Sequence, residues 1–157
     1  MFNIWVDADS CPLQVRQIIL RFAQRLTIQV KYVANRPIPT DKSNLCTMIL
    51  CDDAPDAADN YIVEHIGSDD LVITRDIPLA KRLVDKQIIT MNDRGLLFTD
   101  QNIAQKLALR NLHLELVESG IPIEKTGSYS KKDLNMFANC LDRELQKKIR
   151  KQQTDVK

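Results

Sequence analysis

Hydrophobic positions along the chain change their period repeatedly. Short runs dense in Val, Ile and Leu alternate with longer stretches in which apolar residues recur every three or four positions. FNIWVDA (2–8) reads as a first strand. In CPLQVRQIILRFAQRL (11–26), Val15, Ile18, Ile19, Phe22 and Leu26 fall at helical spacing, which predicts an amphipathic helix. TIQVKYVAN (27–35) predicts a second strand, RPIPTDKSN (36–44) a loop and LCTMILC (45–51) a third strand. A helix over about 55–66 then places Ala58, Ile62 and Ile66 on one face. DLVITR (70–75) is the fourth strand, IPLAKRLVDK (77–86) a helix and QIITMN (87–92) a fifth strand closed by the turn DRG. The remainder reads as helical over about 100–119 and 130–151, with a loop around Gly120 to Tyr129 between.

Strands alternating with helices through short connections predict an α/β domain spanning 1–157, its parallel sheet covered on both faces. In such sheets ligands bind at the carboxyl ends of the strands, where the strand order reverses. The residues that follow each strand therefore define the candidate rim. They are Asp7 and Asp9, Asn35 and Arg36, Asp52 and Asp53, Thr74 and Asp76, and Asn92 and Arg94. Carboxylates gathered there with few lysines nearby would repel one another and take up protons unless a cation joined them. Mg2+ or Mn2+ is the natural cation, held by carboxylates, waters and substrate phosphate.

Composition narrows the chemistry. With 44% hydrophobic and 27% charged residues the chain has the balance of a soluble globular protein. No apolar run is long enough to span a bilayer and no signal-peptide pattern opens the sequence, so no membrane is expected and the cytoplasm is the default. His65 and His113 are the only histidines, which excludes a multi-histidine metal site, and the four cysteines fit neither a zinc knuckle nor a CxxC motif. Four glycines cannot write GxGxxG or a P-loop. The net charge of +1 averages an acidic centre (51–60 and 68–70) with a basic end, RELQKKIRKQQ (143–153). That end reads either as a solvated, fraying helix or as a contact for a phosphate backbone.

Not every acid needs a reactive role. DSCPL (9–13) and RDIPLA (75–80) each set a cap-type residue before a proline, so Ser10 and Asp76 fit N-cap positions with Pro12 and Pro78 in the first turn. If Ser10 caps the first helix, Asp7 and Asp9 are left without a structural duty. Asp56 suits the helix dipole near an amino terminus. Asp59 lies deeper, beside the apolar face carrying Ala58 and Ile62, which is an odd place for a merely solvated acid. Asp52, Asp53, Asp69 and Asp70 read as turn residues, the last two in an exposed turn.

DADSCP, VAN (33–35), DAADN (56–60), DLVITRDIPLA (70–80), N-x-RG (92–95) and SKKDLNMFANCLD (130–142) together resemble the bacterial YaiI/YqxD family, which looks like a branch of the PIN/NYN-like nuclease superfamily. The resemblance implies a three-layer α/β/α sandwich, PIN-like, with a central parallel sheet. It also implies an acidic metal site on Asp7, with Asp9 beside it, Asp59 and the Thr74-Arg75-Asp76 segment. Two departures stand out: the helix acid is an aspartate where many such nucleases carry glutamate, and Ile77-Pro78 follow where a further acid is often found.

The leading expectation is a metal-dependent phosphodiesterase acting on nucleic acid, RNA ahead of DNA. Asp7, Asp59 and Asp76 would be catalytic and, with Asp9, would hold Mg2+ or Mn2+. Thr74, Asn35, Arg36, Asn92 and Arg94 would contact substrate or its phosphate. A non-catalytic PIN-like module binding RNA or protein is the alternative, and a homodimer is left open. A HAD-type phosphatase using Asp7 and Asp9 is weaker, because Cys11 stands where its threonine would be.

Overall fold

The computed structural model describes residues 1–39, 43–121 and 128–155. In chain order the elements are β1 (Asn3–Asp7), a single 3-10 turn (Ala8–Ser10), α1 (Leu13–Leu26), β2 (Gln29–Ala34), β3 (Cys46–Leu50), α2 (Ala57–His65), β4 (Leu71–Ile73), α3 (Ile77–Asp85), β5 (Ile89–Met91), β6 (Leu97–Phe98), α4 (Asp100–Glu118) and α5 (Lys131–Asp155). The six strands form one sheet in the order β3-β2-β1-β4-β5-β6. All neighbours run parallel except β5 and β6, which pair antiparallel through Thr90–Phe98 and Met91–Leu97. The expected central parallel sheet is present, with one antiparallel strand, β6, added at its edge. A two-residue strand carries no periodicity of its own, so β6 leaves no signal in the hydrophobic pattern.

Alternation along β1 assigns the two faces. Ile4 and Val6 join a core with Val15, Ile19 and Ala23 of α1 and Phe137, Leu141 and Leu145 of α5. Trp5 points the other way, into a core with Ala58 and Ile62 of α2 and Leu79 and Leu83 of α3. Helices on both faces of the sheet give an α/β sandwich. A smaller cluster of Ala80, Val84, Phe98 and Ile103 docks the start of α4.

Three expectations change. The residue at the cap of α1 is Pro12, with no side-chain cap, and Ser10 belongs to the 3-10 turn before it. The helix therefore starts on the fixed φ of proline. Asp70 does not lie in an exposed turn: it is buried and accepts from the indole Nε1 of Trp5 (2.9 Å), the backbone N–H of Asn3 (2.8 Å) and that of Gly67 (2.9 Å). Nor is the basic end a fraying appendage. Cys140, Leu141, Glu144 and Leu145 are buried and Ile149 packs on the core, so α5 is a structural helix that outruns the expected 130–151. Of the two expected loops, 36–44 and Gly120–Tyr129, residues 40–42 and 122–127 lie outside the described residues.

The turn between β5 and β6 is fixed against α5. Gly95 has φ +84°, and a Cβ there would stand 2.5 Å from the carbonyl oxygen of Met136. Asn92 Oδ1 accepts from the backbone N–H groups of Arg94 (2.9 Å) and Leu96 (3.0 Å), closing the same turn.

Asp70→Ala removes three hydrogen bonds from one buried carboxylate and leaves the Trp5 indole N–H without an acceptor. Urea unfolding followed by Trp5 fluorescence is expected to show a loss of about 2–4 kcal/mol.

Candidate functional site

The strand order reverses between β1 and β4. From β1 the chain moves outward through β2 and β3, then returns to the other side of β1 to lay down β4 and β5. The crevice at that reversal opens at the carboxyl ends of β1 and β4, where Asp7 and Thr74 lie. Asp7 shares the parity of Trp5, so its side chain leaves the sheet on the face covered by α2 and α3. Those helices supply the other acids: Asp59 from the first turn of α2 and Asp76 from the cap of α3.

A pocket of about 400 Å3 sits there, lined by Asp7, Asp9, Asn35, Asp56, Ala58, Asp59, Arg75 and Asp76. Four acids expected from the sequence thus meet, although they come from three separate segments. Thr74 is buried beneath them. Its Oγ1 donates to Asp7 Oδ2 at 2.9 Å and accepts from the Asp76 backbone N–H at 3.0 Å, so one hydroxyl fixes both segments. Asp76 is also a true N-cap, accepting from Leu79 N–H at 3.0 Å through Oδ1. Asp9 Oδ2 accepts from Asn35 N–H at 3.1 Å, which ties the 3-10 turn to the end of β2. Asp9 Oδ1 and Asn35 Oδ1 are buried with no hydrogen-bond partner.

The electrostatics follow from this crowding. Burial, then the charges of Asp76 and Asp9, push the Asp7 carboxyl up from 3.8 to about 6, against the Thr74 hydrogen bond that pulls it down. Asp59 is pushed up to about 7 by burial and by Asp76, Asp7 and Asp56, and a hydrogen bond with the Asp76 carboxyl favours its protonated form. The one cation lining the pocket among the described residues, Arg75, is engaged elsewhere. Its Nε and Nη2 hold Asp93 Oδ2 at 2.6 and 2.5 Å, and that bond keeps the guanidinium charged. Cys11 sits below, its thiol pushed up to about 12 by burial and then by Asp93, so it stays protonated and offers no nucleophile.

The remaining expected residues are dispersed. Arg36 stands at the rim with its Nε 4.0 Å from Asp9 Oδ1 and its side chain 75% exposed. Asn92 and Arg94 are not in the pocket lining: Asn92 closes the β5–β6 turn, and Arg94 lies over the Tyr129 ring at 5.9 Å. Sequence reasoning missed Arg75 and Asp56 as lining residues. Arg75 was legible as the middle residue of the Thr-x-Asp segment. Asp56 reaches the pocket because it caps α2 in the left-handed conformation (φ +66°), which no pattern announces.

Among the described residues no three carboxylates, thiols or imidazoles form a ready-made metal cage. The donor set nevertheless suits a hydrated hard cation. Mg2+ usually keeps several waters and takes only one or two carboxylates, with phosphate completing its shell. An Asp9 oxygen that receives no hydrogen bond and two carboxyls raised by burial and mutual repulsion are what such a cation would relieve.

The comparisons agree on one family. The family model described as "Uncharacterized BCR, YaiI/YqxD family" matches residues 5–147. A UPF0178 protein of Treponema denticola is 46% identical over 98% of this chain and 97% of its own length. UPF0178 proteins of Treponema pallidum and Psychromonas ingrahamii are 44% and 45% identical, covering 94% and 92% of this chain and 84% and 96% of their own. No solved structure matches the chain. No helix among the described residues is long and apolar enough to cross a membrane.

The raised carboxyls carry a pH signature. Asp7 and Asp59 bind protons more tightly folded than unfolded, so between about pH 4 and pH 7 the folded chain holds the extra protons. Stability must therefore fall as pH rises through that window. Asp7→Asn keeps an acceptor for Thr74 and removes the charge. It is expected to stabilise the protein by on the order of 1–3 kcal/mol at pH 8, the gain vanishing near pH 4, as read from urea unfolding at the two pH values.

Proposed function

The chain belongs to the YaiI/YqxD family, and we propose that it is a metal-dependent phosphodiesterase of nucleic acid, RNA ahead of DNA, of the PIN-like kind. The observation that carries this reading is a cluster of five acids at the strand-order reversal, where the one cation lining the pocket among the described residues, Arg75, is already paired with Asp93. Asp7, Asp59 and Asp76 would hold Mg2+ or Mn2+, with Asp9 beside them. The chemistry a divalent cation brings to such a site is Lewis-acid stabilisation of charge on the phosphoryl oxygens and acidification of the attacking water.

The chain's own residues do the positioning. Thr74 locks Asp7 to the start of α3, so that the β1 and α3 acids keep a fixed separation. Arg75, held by Asp93, lines the pocket and would meet a phosphate oxygen there. Arg36 stands exposed beside Asp9 and would contact the backbone further along. The four free cysteines suit the reducing cytoplasm, where we place the protein.

The binding-module alternative relies on the basic end of α5, and that end lies apart from the acids. Lys148 donates to the Asp69 carbonyl at 2.6 Å and lies over Phe2, at the amino ends of the strands. That is the opposite end of the sheet from the acids. The phosphatase alternative needs a second acid pair near Asp7, and Asp70 is committed to Trp5, Asn3 and Gly67 instead.

Purified protein is expected to cleave single-stranded or structured RNA with Mn2+ or Mg2+ and to stop in EDTA. Asp7→Asn and Asp76→Asn should each slow cleavage by about 100-fold or more while remaining folded. Mn2+ should raise the melting temperature of the wild type at pH 8 more than at pH 5, because protons compete for the same carboxylates. Absence of both cleavage and a metal-dependent shift would reject the reading.

A further inference from the structure

Helix α4 runs off the body of the protein. Of its residues only Ile103, in the first turn, is buried, packed with Ala80, Val84 and Phe98. The face that Ile103 begins continues through Leu107, Arg110, Leu114 and Val117, at the four-three-four-three spacing of a coiled-coil seam. Leu107 is half-buried, but Leu114 and Val117 are 46% and 61% exposed. Ile121, brought back over the helix end by its backbone bond to the Leu116 carbonyl (3.0 Å), is 49% exposed. A core-type face thus extends about three turns beyond the last residue that anchors it. Helical segments of that length are marginal in water without a packed face.

The charges of this segment are ordered. Lys106 and Arg110 lie in its first half and Glu115 and Glu118 in its second, and the salt bridges of the described residues involve none of the four. A parallel copy would set like charge against like, whereas an antiparallel copy sets each basic half against an acidic half. A two-fold axis through Leu114 puts Leu114 against its own copy, Leu107 against Ile121 and Arg110 against Glu118. We propose that a second copy of this chain packs antiparallel along the Leu107–Arg110–Leu114–Val117 face of α4, forming a two-fold homodimer.

Such a contact is isologous, as a closed dimer requires, and the Arg110–Glu118 pair occurs twice in it. Its length places it at the small end of specific interfaces, so the dimer is concentration-dependent. The other exposed apolar stripe of α4, with Leu109 and Leu112, lies on the far side of the helix and is not used.

Sedimentation velocity on the full chain tests this over a range from about 1 μM to about 200 μM. The wild type should move from one chain to two across the range. Leu114→Glu should hold it at one chain, while Leu112→Glu, equally exposed and equally drastic, should leave association unchanged. Arg110→Glu should weaken the dimer by roughly tenfold, and adding Glu118→Arg should recover most of that loss. A wild type that stays monomeric throughout overturns the proposal. So does a dimer broken by Leu112→Glu but not Leu114→Glu, or an Arg110→Glu defect that Glu118→Arg does not repair. Far-UV circular dichroism confirms that each variant remains folded.

Discussion

The parallel pairing of β1 with β2 on one side and β4 on the other is the constraint from which the site follows. It places the reversal of strand order at the carboxyl end of β1, and alternation aims Asp7 at the α2–α3 face. The Thr74 hydroxyl, donating to Asp7 and accepting from Asp76 N–H, ties that geometry across the two strands. Once β1 lies between its neighbours, the acids of α2 and α3 have nowhere else to converge.

The two ends of the same sheet show what distinguishes a compensated buried acid from an uncompensated one. Asp70, before β4, is buried but receives three N–H donors, which compensate its desolvation. Asp7, after β1, is nearly as buried and receives one hydroxyl, while further carboxylates face it. Burial alone does not separate them; the supply of donors does. The charge of Asp7 therefore costs stability in the folded protein.

Much of this was legible in the residues. Strand and helix order came from the change of hydrophobic period, Asp7, Asp9 and Asp76 came from asking which residues follow each strand, and Asp59 came from its place beside the apolar face of its helix and from the family resemblance. Asp76 was read correctly as an N-cap, and the structure gives it a place in the pocket as well. What escaped was set by tertiary context. The two-residue β6 is defined only by its pairing with β5, and the start of α1 moved to Pro12 because a 3-10 turn intervened. Asp70 looked like a turn residue because nothing near it in sequence reveals the indole it meets 65 positions away. The basic residues of α5 were visible, but only the packing shows that they lie away from the acids.

The central claim is that the acids at the strand reversal are incompletely compensated and await a cation. It is tested most directly by titrating the aspartate carboxyls by 13C NMR, with assignments from Asp7→Asn and Asp59→Asn, in the absence and presence of Mg2+. Without the cation Asp7 should titrate near pH 6 and Asp59 near pH 7, and Mg2+ should lower both. Ordinary values near 4 in the metal-free protein, or raised values that Mg2+ leaves unmoved, would contradict it.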